Sequence, residues 1–165
     1  MILAIDPGNE QSAYVVLDKK LKPIRFEKID NNDLLEKIKG GEFIDCKYLA
    51  IEMIASYGMA VGKTVFETCV WIGIFSEALD NRYGLSGKWI YRKDVKMNLC
   101  YSTKAKDSNV IQALRDRFAP GIRNGGKGTK KEPGFFYGFR ADVWQAYAVG
   151  VTYGDVEKLK GENND

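Results

Sequence analysis

The stretch Ile2-Leu3-Ala4-Ile5-Asp6-Pro7-Gly8 sets a carboxylate at the end of a short apolar strand, on the edge of a turn. The pattern recurs in Tyr48-Leu49-Ala50-Ile51-Glu52, where a wholly apolar run again closes on an acid. A third acid, Asp142, stands at the start of an apolar, helix-like segment from Ala141 to Tyr153. A carboxylate at the end of a buried strand is costly unless positive charge meets it there. Two strands and a helix that bring these groups together would make an all-oxygen site for a divalent cation, Mg²⁺ or Mn²⁺. Paired cations about 3.5–4 Å apart are a common device for breaking phosphodiester bonds. The expectation is a metal-dependent nuclease.

The flanking sequence predicts how such a site is framed. After the Pro7-Gly8-Asn9 turn, Ala13 to Leu17 reads as a second strand, and Ile24 to Ile29 alternates apolar and charged residues as a strand with one wet face. Tight turns between them predict an antiparallel meander. Asn32-Asp33 offers an N-cap for a short helix ended by Gly40-Gly41. Tyr48 to Glu52 has the unbroken apolarity of a central strand. A helix from Thr64 to Leu79 carries Val65, Cys69, Ile72 and Leu79 on one face, with Cys69 expected in the core. Phe66, Val70, Trp71 and Phe75 make it apolar almost all round, as in a central or subunit-pairing helix. Lys88 to Tyr91 is a further strand and Val95 to Cys100 a weak helix or loop. Ser108 caps a helix ended by Pro120-Gly121, Gly121 to Gly138 is a mobile glycine- and lysine-rich loop, and a last helix runs from about Phe139 to Leu159. This order predicts an α/β fold, a mixed sheet with helices on both faces.

Composition narrows the chemistry. With 165 residues and 45% hydrophobic content, the chain is expected to form one domain over 1–165, with 161–165 a polar tail. No apolar run approaches the roughly 20 residues of a membrane span, and no basic leader precedes the first strand, so a cytoplasmic protein without membrane partners is expected. Cys46, Cys69 and Cys100 are widely spaced and odd in number, against a disulfide framework or zinc site. Histidine is absent altogether. That removes Ser-His-Asp and Cys-His catalysis and leaves carboxylates, lysines, tyrosines or metal-bound water for acid–base work. The net charge of +3 is too mild to argue for nucleic acid by itself.

Asp6-Pro7-Gly8 after the first strand, Ile51-Glu52 closing a central strand and Ala141-Asp142 opening the last helix together resemble the RNase H-like superfamily. Within it, the chain is similar to RuvC-type Holliday junction resolvases, in their phage-encoded branch. The resemblance covers most of the chain and implies a five-stranded mixed sheet with the antiparallel meander first. It also implies two cations per site, Asp6 bridging both and Glu52 and Asp142 each holding one. One cation would then serve the attacking water and the other the leaving 3′ oxygen, giving 5′-phosphate and 3′-hydroxyl ends. The chain departs from the pattern one turn before Asp142. Where the family carries another acidic or histidine ligand, this chain has Phe139, between Gly138 and Arg140.

Other features point to DNA. The segment holding Lys96, Lys104 and Lys106 is similar to the family's lysine-bearing region, and Lys104 or Lys106 would neutralise charge on the reacting phosphate. The loop cations Arg123, Lys127, Lys130, Lys131 and Arg140 face a single acid, Glu132, and would release counterions from DNA. Its glycines would let backbone approach phosphates, and Phe135-Phe136-Tyr137 would stack on unpaired bases. Tyr57 and Met59 fall where the family places residues that enter a junction's centre. Symmetric cutting implies a homodimer, with the Thr64–Leu79 helix as its interface. The alternatives are an RNase H-like nuclease on other nucleic acid, a catalytically weak junction-binding protein, and an actin-like nucleotide-binding fold, for which the chain is too short.

Overall fold

The computed structural model describes residues 1–162. Three strands open the chain: β1 (Ile2–Asp6), β2 (Gln11–Leu17) and β3 (Pro23–Asp30). They are followed by α1 (Asn31–Lys39), β4 (Tyr48–Met53), α2 (Lys63–Tyr83), β5 (Lys88–Tyr91), α3 (Arg92–Cys100), α4 (Asp107–Phe118) and α5 (Val143–Glu162). The sheet has the order β3-β2-β1-β4-β5. β1 pairs antiparallel with β2, and β2 with β3, while β4 runs parallel to both β1 and β5. This is the meander-first mixed sheet expected from the sequence.

Alternation along the strands builds a core on each face of the sheet. Ala4, Ala13, Val15, Leu17, Ala50 and Ile90 face α5, together with Val95 and Leu114 from α3 and α4. Leu3, Ile5, Tyr14, Val16, Leu49 and Ile51 face the opposite way, onto Leu34 and Ile38 of α1 and Ile72, Phe75 and Leu79 of α2. The small residues on the first face let α5 lie very close to the sheet. A Cβ added at Gly150 would stand 2.2 Å from Leu17 Cδ1 and 2.9 Å from the Ala4 Cβ.

Several boundaries differ from expectation, each for a local reason. The cap of α1 is Asp30, whose carboxylate accepts from the Asn32 N–H, so Asn32 lies inside the helix. Ser108 likewise lies inside α4; Lys106 precedes it, and its N–H donates to Asn109 Oδ1 at 2.8 Å. Arg92–Cys100 is a full helix. Helix α5 starts at Val143, because Phe139 is buried against Phe26, Phe136, Trp144 and Tyr147 before the helix begins. It continues through Glu162, and residues 163–165 of the expected tail lie outside the described residues.

Cys69 is exposed, contrary to its assignment to the core. Helix α2 buries the stripe Thr68, Ile72, Phe75 and Leu79, and Cys69 lies on the other side with Phe66 (61% exposed) and Val70 (60%). The glycine-rich stretch is also no loose loop. Phe136 N–H donates to the Gly126 carbonyl, Gly134 N–H to the Lys127 carbonyl and Thr129 N–H to the Glu132 carbonyl. At Gly128 (φ +68) an added Cβ would lie 2.3 Å from the Glu132 carbonyl oxygen. These glycines let the chain approach itself. No helix among the described residues is long and apolar enough to cross a membrane.

Candidate active site

Asp6 and Glu52 owe their proximity to register. Ile5 of β1 pairs with Ile51 of β4 in a parallel ladder, so the two acids that follow leave the sheet side by side. The β1–β2 turn below Asp6 is tightly braced. Gly8 N–H donates to Ser12 Oγ at 3.2 Å, and the Ser12 hydroxyl donates to Asn31 Oδ1 at 2.6 Å. Asn31 Nδ2 returns a bond to the Gly8 carbonyl at 2.9 Å. Gly8 is required because a Cβ there would sit 2.3 Å from the Gln11 carbonyl oxygen.

The carboxyl of Asp6 is held well above the usual carboxylate range. Burial is the main cause, the charges of Glu52 and Asp142 add to it, and so does a hydrogen bond with Glu52; Arg92 opposes. Glu52 is also raised, chiefly by burial and further by Asp107 and Asp142, while Arg92 and the hydrogen bond from Asp6 pull it down. Two adjacent desolvated carboxyls share a proton for this reason. Asp142, immediately before α5, acts electrostatically on both.

Four further groups complete this end of the sheet, and none was singled out from the sequence. Lys28 Nζ lies 2.6 Å from Asp142 Oδ2. Arg92 opens α3 with Nη1 at 3.5 Å from Glu52 Oε2 and Nη2 at 3.1 Å from Asp107 Oδ1. It also donates to Gln145 Oε1 of α5 at 2.6 Å. An acid opening α4 and a cation directly after β5 were the only signals for Asp107 and Arg92, and both are ordinary surface features in a sequence.

The oxygen-only donor set of Asp6, Glu52 and Asp142 fits a hard divalent cation, and such a cation would offset the cost of the desolvated Asp6. Among the described residues, however, no group of three or more His, Cys, Asp or Glu side chains stands close enough together to hold a metal ion. Asp142 is instead engaged by Lys28, and Glu52 faces Arg92.

The other expected residues fall into two groups. Tyr57 lines a cavity of about 200 Å³ with Asp6, Glu52 and Arg92. It is 61% exposed, and Lys93 Nζ lies 5.9 Å from its ring centre. Lys127 and Arg140 line a second groove of about 510 Å³ with Phe26, Lys28 and Phe139. Lys104 and Lys106 are exposed in the turn before α4, Lys106 adjoining the Asp107 that binds Arg92. Lys96 is half-buried on α3. Arg123, Lys130 and Lys131 are exposed on the glycine-rich segment.

One expectation needs correction. Phe136 is fully buried and Phe135 stacks on Phe118, with ring centres 5.4 Å apart. Apolar area drives both rings into the core, leaving only Tyr137 exposed for a base. Phe139 also packs inward and offers nothing near the acids.

No protein-family model matches the chain, and no curated protein does. Solved structures do. A Thermus thermophilus RuvC structure superposes with a TM-score of 0.67 at 12% identity, covering 96% of each chain. T. thermophilus RuvC in complex with a Holliday junction substrate gives 0.69 at 14% identity, covering 96% of this chain and 95% of that one. The chain has a RuvC-like, RNase H-like fold.

Proposed function

We propose that this chain is a metal-dependent, structure-selective endonuclease that cuts four-way or otherwise branched DNA. The observation that carries the reading is the Asp6–Glu52 carboxyl pair at the ends of adjacent parallel strands, on which the charge of Asp142, just before α5, also acts. Keeping two desolvated carboxyls together opposes stability, and such strain persists where a ligand repays it. The RuvC-like fold supports the choice of reaction, and the solved Thermus complex with a Holliday junction supports the choice of substrate.

Asp6, Glu52 and Asp142 would hold the divalent cation, Mg²⁺ or Mn²⁺. When bound, the cation supplies Lewis-acid activation of water and neutralisation of phosphate charge. Arg92 fixes the direction of the Glu52 carboxylate through its bonds to Asp107 and Gln145. Lys104 or Lys106 meets charge building on the phosphate. Lys127 and Arg140 border the groove along which a DNA strand would run, with Lys96, Arg123, Lys130 and Lys131 as outlying phosphate contacts. Tyr57, at the mouth of the acidic cavity, would stack at the crossover. Paired cutting calls for a homodimer, and the exposed apolar stripe Phe66, Val70 and Ile74 on α2 is its interface.

A second reading is a junction-binding protein with weak catalysis. It is favoured by the engagement of Asp142 with Lys28 and by the inward packing of Phe139. One experiment separates the two. Labelled four-way junctions are incubated with the protein with and without Mg²⁺ or Mn²⁺, beside Asp6→Asn. Metal-dependent nicking that Asp6→Asn removes, with binding retained, supports the nuclease. Tight binding without nicking at any metal concentration selects the binder, and cutting by Asp6→Asn at the wild-type rate refutes the site.

A further inference from the structure

Lys28 lies on β3, two strands away from Asp6, and its place follows from register alone. Asp6 pairs with Ala13, and Ala13 pairs with Lys28. Lys28 therefore belongs to the same cross-strand row as Asp6 and points to the α5 face, as does Phe26 two residues earlier. Ala13 between them carries only a methyl group, which leaves the lysine free to reach Asp142 Oδ2 at 2.6 Å. Its neighbour Glu27 faces away, 3.6 Å from Lys37. The carboxylate that answers the Lys28 charge is thus Asp142.

Asp142 also differs from its two companions in freedom. Asp6 and Glu52 leave paired strands, whereas the Asp142 side chain is 47% exposed at the start of a helix. A cation seated on Asp6 and Glu52 needs Asp142 as a further oxygen, and the lysine already occupies that oxygen.

We propose that Lys28 is a positioning residue: it holds Asp142 beside the Asp6–Glu52 pair and competes with a divalent cation for it, so that Lys28 sets the metal concentration at which the site fills. The inference rests on the metal-dependent reading above.

The test is a Mn²⁺ titration of the full chain, following the resonance of free Mn²⁺, with no DNA and no turnover. Wild type is compared with Lys28→Met, Lys28→Arg, Asp142→Asn, Lys28→Met/Asp142→Asn, Asp6→Asn and Lys20→Met. Lys20 is an exposed lysine in the β2–β3 turn, at the other end of the sheet, and controls for net charge. Lys28→Met is expected to bind Mn²⁺ roughly three- to fivefold more tightly, the scale of a partly exposed ion pair. Lys28→Arg should restore wild-type affinity, Lys20→Met should leave it unchanged, and the gain should vanish when Asp142 is already Asn. Binding that needs Asp6 but ignores Lys28, or a gain that survives Asp142→Asn, overturns this proposal alone. No Mn²⁺ binding in any variant, or binding indifferent to Asp6, overturns the metal site and the proposal with it.

Discussion

The carboxyl of Asp6 lies beside that of Glu52 because β1 and β4 run parallel and in register up to Ile5 and Ile51. Both groups lose water there, and Asp6 bears the larger penalty.

Asp6 makes stability depend on pH in a direction opposite to most carboxylates. Its pKa in the folded protein is raised, so its contribution is fully present below the unfolded value. That contribution is lost as pH rises through the folded value. Without metal, Asp6→Asn should therefore raise stability at neutral pH by about 1–3 kcal/mol, the cost of an ill-satisfied buried polar group. Thermal melts across pH 4–8 would check this, and adding Mg²⁺ should stabilise wild type more than the variant.

Residues that act as a unit lose activity non-additively. Asp6→Asn and Glu52→Gln should each reduce metal-dependent junction nicking by about 10²–10³-fold or more. The double variant should be little worse than either. Single-turnover rates decide the matter, and multiplying losses would mean that the two acids work separately.

Arg92 ties three elements together through Glu52, Asp107 and Gln145. Arg92→Met leaves two acids facing each other without a cation, and should cost about 1–2 kcal/mol at pH 7. Urea unfolding measures it. The loss should shrink at acidic pH, where the acids are protonated.

Gly150 is where α5 presses closest to the sheet. Gly150→Ala gains helix propensity but drives a methyl into Leu17 and Ala4, and overpacking of this kind costs about 1–3 kcal/mol. A lower melting temperature is expected; an unchanged or higher one would show that α5 shifts freely.

If DNA runs past Lys127, Lys130 and Lys131, replacing them with Gln should flatten the salt dependence of junction binding. The slope of log K against log salt falls by about 0.9 for each duplex phosphate that the protein no longer neutralises. Fluorescence anisotropy over a range of salt concentrations reads the slope directly.

Much of the fold was legible along the chain. The apolar runs ending in Asp6 and Glu52, the alternation through Ile24–Ile29 and the apolar segment after Asp142 depend on local patterning, and patterning survives folding. Boundaries were less legible. Asp30 outcompeted Asn32 as a cap, and Phe139 was drawn out of α5 by a cluster of aromatic rings. Cys69 was misplaced because an all-round apolar helix gives no sign of which face is covered, and Phe136 because apolar area drew its ring into the aromatic core.

By itself, the sequence determined which acids end strands and that they stand at one end of a mixed sheet. Only the tertiary structure decided which cations meet those acids. Lys28 reaches Asp142 through the pairing of β3 with β2, and Arg92 reaches Glu52 from the start of α3. The physical reason is register: a shift of one residue in β3 would turn Lys28 to the other face of the sheet, and no local pattern records that choice.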